Sequence, residues 1–264
     1  MDVSDLVRRH YGRGNLEETV LAELAGAGVD TARLTVADLA AVDQLHAGFL
    51  PATHHLLDQL ALSPQLRLLD VGSGIGGPAR AAAAAYGCSV VGIDLSPDFV
   101  RAAQALTERV QLTGLVEFRV SAGERLDLAD ASFDRAMMVH VGMNIEDKAA
   151  VFAEVRRVLR PEGLFAVYDQ MQTGVGQPTY PLPWAEDERS SFLTTPDAYA
   201  DHLETAGFTV VGTDRTPMTA PPPGPPRLGP AAVFGPGFAE RMGNNLAATA
   251  AGHVSPVLIL ARAH

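Results

Sequence analysis

Leu68-Leu69-Asp70-Val71-Gly72-Ser73-Gly74-Ile75-Gly76-Gly77 is an apolar run that breaks into glycines and passes into the alanine-rich stretch 79–85. It reads as a buried strand, a glycine-rich turn and the start of a helix. Glycines permit positive φ and remove the Cβ atoms that would collide with a bound nucleoside, while the helix N-terminus supplies backbone N–H donors. A Gly-x-Gly pattern alone says little. Ser89-Val90-Val91-Gly92-Ile93-Asp94 sharpens it, as a second strand whose terminal Asp94 follows the turn at about 20 residues, where an acidic side chain accepts ribose hydroxyls. Nicotinamide dinucleotides use the same two features. Here, however, Asp70 stands just before Gly72, Gly74 and Gly76, a place where a carboxylate repels a pyrophosphate and attracts an ammonium.

On either side of this turn the chain alternates short apolar strands with amphipathic helices, the pattern of a doubly wound, parallel α/β sheet buried on both faces. Strands are expected at 66–71, 89–94, 116–120, 134–139 and 163–169, with helices at 77–87, 97–112 and 147–160 and a weaker helical turn near 124–129. A helix at 196–207 and strands at 208–214 and 256–262 bring the count to seven strands. Residues 1–64 read as a helical cap, with Leu16, Val20, Leu21 and Leu24 at helical spacing and a second stripe through Leu39, Val42, Leu45 and Phe49. Residues 172–194, which carry Gly174, Gly176, Pro178, Pro181, Pro183 and Trp184, read as a loop or lid. Pro221 to Pro236 is expected to be poorly ordered or a polyproline-like wall, followed by a short helix holding Asn244 and Asn245. The organisation expected is one domain over 1–264: cap, cofactor-binding core 65–171, lid, and the C-terminal part of the sheet from 195 with an insertion at 217–253.

Composition excludes more than it identifies. A hydrophobic content of 47% over 264 residues is ample for a core between two helical layers. The formal net charge of −11 argues against a nucleic-acid partner or an anionic membrane, both of which need clustered Lys and Arg. No run resembles a membrane span or a signal core, so a cytoplasmic protein is expected. The single Cys88 excludes an intrachain disulfide and reads as a small core residue entering a strand.

With these motifs in place the chain resembles the class I S-adenosylmethionine-dependent methyltransferases, in particular the small-molecule group of glycine-sarcosine, dimethylglycine and ubiquinone-type enzymes. The likeness rests on the glycine turn, Gly92-Ile93-Asp94-Leu95-Ser96, Ser132-Phe133-Asp134, Arg157-Val158-Leu159-Arg160-Pro161-Glu162-Gly163 and Ala206-Gly207-Phe208. It implies a Rossmann-like sheet of seven strands with the last antiparallel, and S-adenosylmethionine across the carboxyl ends of strands one, two and four. Asp70, Gly72 and Gly74, with Ser73 between, would meet the methionine moiety, Asp94 the ribose and Leu95 an adenine face. Ala122 and Gly123 would flank the other face. The family often has Asp at the position of Ala122, so a bond to the adenine amino group is missing, with Glu124 a substitute. Tyr11 or Thr53, in the cap, would hold the carboxylate.

Methyl transfer is an in-line displacement in which the cofactor carries the reactivity and the protein supplies alignment and exclusion of water. Candidate catalytic residues therefore come from position. His140, just past strand four, reads either as a base for a hydroxyl or ammonium nucleophile or as a hydrogen-bonding neighbour of the cofactor. Asn144 reads as a pocket amide or as the N-cap of the helix from Ile145 or Glu146. Strand five ends Tyr168-Asp169-Gln170, and Tyr168 and Asp169, with Tyr180, Pro183 and Trp184 of the lid, are expected to line an acceptor pocket; Trp184 reads equally as an anchor for the lid. His54 and His55 are neighbours whose side chains diverge on a helix, so no metal is expected, and Asp43 with His46 reads as a helix-surface pair. The activity expected is N-, O- or C-methylation of a small metabolite. The alternative is an enzyme that binds the same cofactor and catalyses cyclisation or rearrangement without methyl transfer.

Overall fold

A computed structural model describes residues 15–215, 231–235 and 237–264. Among these residues three helices come first: α1 (Leu16–Gly26), α2 (Val36–Asp43) and α3 (Phe49–Gln59). Then β1 (Arg67–Val71), α4 (Gly77–Tyr86), β2 (Ser89–Asp94), α5 (Pro97–Arg109), β3 (Val116–Val120), β4 (Phe133–Val139), α6 (Lys148–Val158) and β5 (Leu159–Gln172) alternate. After the lid come α7 (Pro196–Thr205), β6 (Phe208–Asp214), α8 (Ala231–Phe234), α9 (Phe238–Ala250) and β7 (Val254–Ala263). The sheet has seven strands in the order β3-β2-β1-β4-β5-β7-β6. The strands from β3 to β5 pair parallel, and β7 runs antiparallel to both β5 and β6. This is the α/β architecture expected, with the last strand reversed.

Because side chains alternate along a strand, Leu68 and Leu69 go to opposite faces and each face acquires its own helices. Leu68, Val90 and Met137 pack under α3, α4 and α5 through Leu57, Ala82 and Ala103. Leu69, Val91 and Phe165 pack under α6 and α7 through Phe152, Val155 and Leu203. Both faces are covered, which is why the strands read as apolar runs rather than alternating ones. Five of the helices begin on side-chain caps, Asn15, Thr35, Ser96, Asp147 and Thr195, each accepting from a backbone N–H three residues on. Cys88 is fully buried just before β2.

Four stretches depart from expectation. The stripe through Leu39 to Phe49 is two helices, because the chain leaves α2 at Asp43 and re-enters a helix only after Gly48, which has φ of 77°. The Gln44–Ala47 link turns polar groups inward instead. No helical turn forms at 124–129; Glu154 accepts from Leu126 N and Arg157 donates to the carbonyls of Leu126 and Leu128, so side chains of α6 satisfy that backbone. Strand β5 outlasts its expected end because β7 pairs with it as far as Gln172 with Val254. Most of the Pro221–Pro236 stretch lies outside the described residues, apart from Ala231–Phe234, which form the short helix α8.

Phe152 has no exposed surface and packs edge-on against Phe165 at 5.7 Å and at a tilt against Tyr199 at 6.1 Å. Phe152→Ala is therefore expected to destabilise the fold by about 3–5 kcal/mol, read as a lowered midpoint in urea with an unchanged slope.

Candidate functional site

The carboxyl ends of β1, β2 and β4 open into a cavity of about 350 Å³, the place where open α/β sheets bind ligands. The glycine turn forms its floor. Gly72, at φ 73°, and Ser73 both donate backbone N–H bonds to Ile93 O at 2.8 Å, which folds the turn back onto β2. A Cβ on Gly72 would lie 2.3 Å from the Val141 side chain, so no other residue fits between the turn and the end of β4. Gly74 N–H and Ser96 N–H each donate to the Asp94 carboxylate at 2.9 Å. These two bonds fix the carboxylate at the cavity wall and leave it lone pairs for a ligand.

Electrostatics set this region apart. Asp70 is 1% exposed and its Oδ2 has no hydrogen-bond partner among the described residues. Burial, and then the neighbouring Asp94, push its pKa up to about 8. Burial also raises Asp94, to about 6, against the lowering effect of its backbone donors. Two carboxyl groups held at the edge of ionisation in one cavity favour a ligand that brings positive charge. Ser73 Oγ is likewise buried without a partner.

The opposite region is built around His140, which also lines the cavity. It sits at φ 55°, a left-handed conformation that costs a non-glycine residue about 1–3 kcal/mol, and its N–H donates to Tyr168 O at 2.7 Å. Burial, and then His46, hold its pKa well below the usual imidazole range, so the ring is neutral. Its Nε2 is buried without a partner. The ring stands 5.2 Å from that of Tyr168 and 5.8 Å from that of His46.

The cavity brings together Asp70, Gly72, Ser73, Gly74, Asp94, Leu95, Ala122, Gly123 and His140, with Glu124 beside Gly123. It leaves out others. Tyr11 lies outside the described residues. Thr53 is behind the wall, its hydroxyl donating to Gln44 Oε1 at 2.5 Å. Tyr168 is also behind it, buried against His140 and donating to Ala47 O at 3.1 Å. Asp169 points to the other face of the sheet, as its place next to Tyr168 on a strand requires. There it accepts from Tyr199 Oη at 2.8 Å and from Gly142 N–H, with its pKa raised to about 7 by burial. The lid is anchored rather than laid over the cavity, with Trp184 packed on Met143 and Leu182 and its Nε1–H donating to Ser191 Oγ.

Asn144 is not a helix cap, a role that Asp147 takes; it lines the cavity and donates to the lid carbonyls of Trp184 and Ser190. Lys148, 4% exposed, donates to Ile145 O at 2.8 Å and Phe192 O at 2.7 Å, a second tie between cavity wall and lid. Asp43 and His46 are buried, not a surface pair. Both line the cavity, together with Leu45, Phe99 and Phe234, which the sequence reading missed. Polar Asp43, Gln44 and His46 inside an apolar stripe were the available signal. Phe234 had none, since it reaches the site from between β6 and β7. His55 pairs with Asp214 at 2.9 Å, and no three His, Cys, Asp or Glu gather as a metal-binding group among the described residues.

Residues 69–167 match the methyltransferase-domain family. An O-methyltransferase of Pyrenophora dematioidea is 30% identical over 160 residues, 60% of each chain. The chain spans less than two thirds of the curated relatives it matches, 32% of one and 60% of another. Among solved structures, the cyclase SpnF covers 98% of this chain with 96% of its own at a TM-score of 0.69 and 20% identity. A geranyl diphosphate C-methyltransferase from Streptomyces coelicolor A3(2), in complex with S-adenosyl-L-homocysteine, covers all of it with 99% of its own at a TM-score of 0.71 and 16% identity. At such identities these two likenesses concern the fold.

The unfolded chain ionises Asp70 near pH 3.8, whereas the folded group keeps its proton to about pH 8. Between these values the folded state binds the extra proton, so this group makes the ligand-free protein lose stability as pH rises. Asp70→Asn should flatten that slope and raise the Tm at pH 8 by about 2–4 °C or more, the shift that about 1 kcal/mol gives a chain of this size. A Tm at pH 8 below that of the unaltered protein would contradict the assignment.

Proposed function

We propose that this chain, whose residues 69–167 match the methyltransferase-domain family, is a class I S-adenosylmethionine-dependent methyltransferase that transfers the methyl group of S-adenosylmethionine to nitrogen, oxygen or carbon of a small-molecule metabolite. The observation that carries the reading is the buried, unpartnered Asp70 carboxyl oxygen beside a glycine turn, with Asp94 in the same cavity. The residues fit the cofactor. Asp70, Gly72, Ser73 and Gly74 would hold the methionine moiety, its ammonium against Asp70. Asp94 would accept the ribose hydroxyls, with Leu95 on one side of the adenine and Ala122 and Gly123 on the other. Glu124, beside Gly123 in the cavity, would supply a carboxylate to the base where Ala122 has none.

The bound sulfonium supplies an electrophilic methyl group, and the chain supplies alignment and a dry site. His140, neutral and with Nε2 unpartnered, accepts a proton from the acceptor's nucleophilic atom. Tyr168 holds the His140 backbone through its carbonyl and packs its ring beside the imidazole. Asp169 acts from behind by holding Gly142, where a Cβ would meet its carboxylate. The net charge of −11 favours a neutral or cationic metabolite over nucleic acid, and one buried cysteine suits a reducing cytoplasm.

Calorimetric titration should show micromolar binding of S-adenosylmethionine and none of NAD, and a metabolite screen read by mass should find a product with one added methyl group; binding of NAD alone would reject the reading. Asp94→Ala should weaken cofactor binding by roughly 1.5–3 kcal/mol. His140→Ala should lower kcat by about 10²-fold or more with little change in cofactor affinity. The reverse pattern would move His140 from the acceptor to the cofactor.

A further inference from the structure

Arg80 stands in the first turn of α4 with no exposed surface, and its guanidinium ties three elements together. Nη2 donates to Ile75 O in the glycine turn at 2.7 Å and to Asp43 Oδ2 in the cap at 2.8 Å. Nη1 donates to Ala103 O and Thr107 Oγ1 of α5. Asp43, also fully buried, accepts from Gln44 Nε2 at 2.9 Å, which orients that amide so that its Oε1 faces Thr53 Oγ1 at 2.5 Å and His46 Nε2 at 3.2 Å. His46 Nδ1 lies 3.0 Å from Ala47 O, the carbonyl to which Tyr168 also donates. A continuous chain of polar contacts thus runs from the turn after β1, through the cap, to β5.

We infer that Arg80 is a positioning residue for the methyl donor: acting through Asp43, it fixes the Asp43–Ala47 segment as the wall over the methionine end of the cofactor. This rests on the cofactor reading above. Asp43, Leu45 and His46 line the same cavity as the glycine turn, and the Leu45 side chain is the nearest atom, at 3.7 Å, to a Cβ built on Gly74. A Cβ on Gly77 would lie 2.3 Å from Asp43 O, so the cap backbone is seated directly on the start of α4. A buried ion pair adds little stability over a well-packed apolar pair. A rigid guanidinium fork does specify where the groups it joins must sit, and here they are the turn and the cap. The adenosine end, at Asp94, Leu95, Ala122 and Gly123, has no part in this chain of contacts.

The test compares two ligands that differ only at the methionine end: S-adenosylhomocysteine and methylthioadenosine, which keeps the nucleoside and thioether but lacks the amino acid. Each is titrated calorimetrically into the full chain and into Arg80→Lys and Thr53→Val, with circular dichroism as the check on folding. Both variants should weaken S-adenosylhomocysteine by roughly tenfold or more while methylthioadenosine changes by less than about twofold. Thr53→Val keeps the side-chain volume and removes one hydroxyl of the chain, so it decides the matter if Arg80→Lys does not fold. Equal weakening of both ligands, or no weakening of S-adenosylhomocysteine in Thr53→Val, overturns the positioning role. Unaltered protein that binds neither ligand overturns the cofactor reading itself, and this inference with it.

Discussion

Two carboxyl groups of like charge, Asp70 and Asp94, end neighbouring parallel strands, and the fold keeps both out of water. Burial disfavours their ionised forms, and proximity disfavours having both ionised together. Left to itself the protein resolves the conflict by protonation. A ligand with one positive charge and hydroxyl donors resolves it differently, since it lets both groups ionise and gives their oxygens partners. Much of the surrounding structure serves to maintain that unrelieved state. The cap closes over the turn, and the Arg80–Asp43 pair neutralises a further carboxylate of the cavity wall within the protein. That acid is thereby withdrawn from competition for the ligand's charge.

The glycine-turn side of the cavity was legible because its signals are local. The strand, turn and helix around Gly72–Gly77 each follow from consecutive residues, and Asp94 ends a strand whose apolar run is plain. The side around His140 was less so, because it is assembled by tertiary contact. Tyr168 and Asp169 are neighbours on one strand, and a pleated backbone sends them to opposite faces; only the partners of each, Ala47 for one and Tyr199 for the other, show which faces they are. The stripe from Leu39 to Phe49 kept helical spacing across a break, since Leu45 faces inward from an irregular link as it would from a helix. The polar residues beside it, Asp43, Gln44 and His46, find their partners in α3 and α4. The turn expected at 124–129 had the right composition but lost its backbone groups to Glu154 and Arg157, whose reach no local pattern records.

The lid shows how a segment of irregular backbone is held without secondary structure. Asn144 and Lys148, on the segment that follows β4, bind lid carbonyls, and Met143 O accepts from Phe192 N–H. Buried carbonyls need donors, and a buried lysine with its pKa lowered to about 8 is a stiff choice of donor. Asn144 thus belongs both to the wall of the cavity and to the seat of the lid, so a shift in one is felt by the other.

The reversal of β7 reaches further than sheet topology. Since β7 lies antiparallel between β5 and β6, β6 runs parallel to β5, and both end at the edge of the sheet where the cavity opens. The chain therefore has two excursions above that edge, one after β5 and one after β6, and Phe234 shows that the second reaches the cavity. Both can lengthen, shorten or change composition without altering a residue between Leu68 and Gly123. The fold in this way separates a fixed floor from a variable rim: the turn and the ends of β1 and β2 are set by the parallel part of the sheet, whereas the two excursions above them are free of its register.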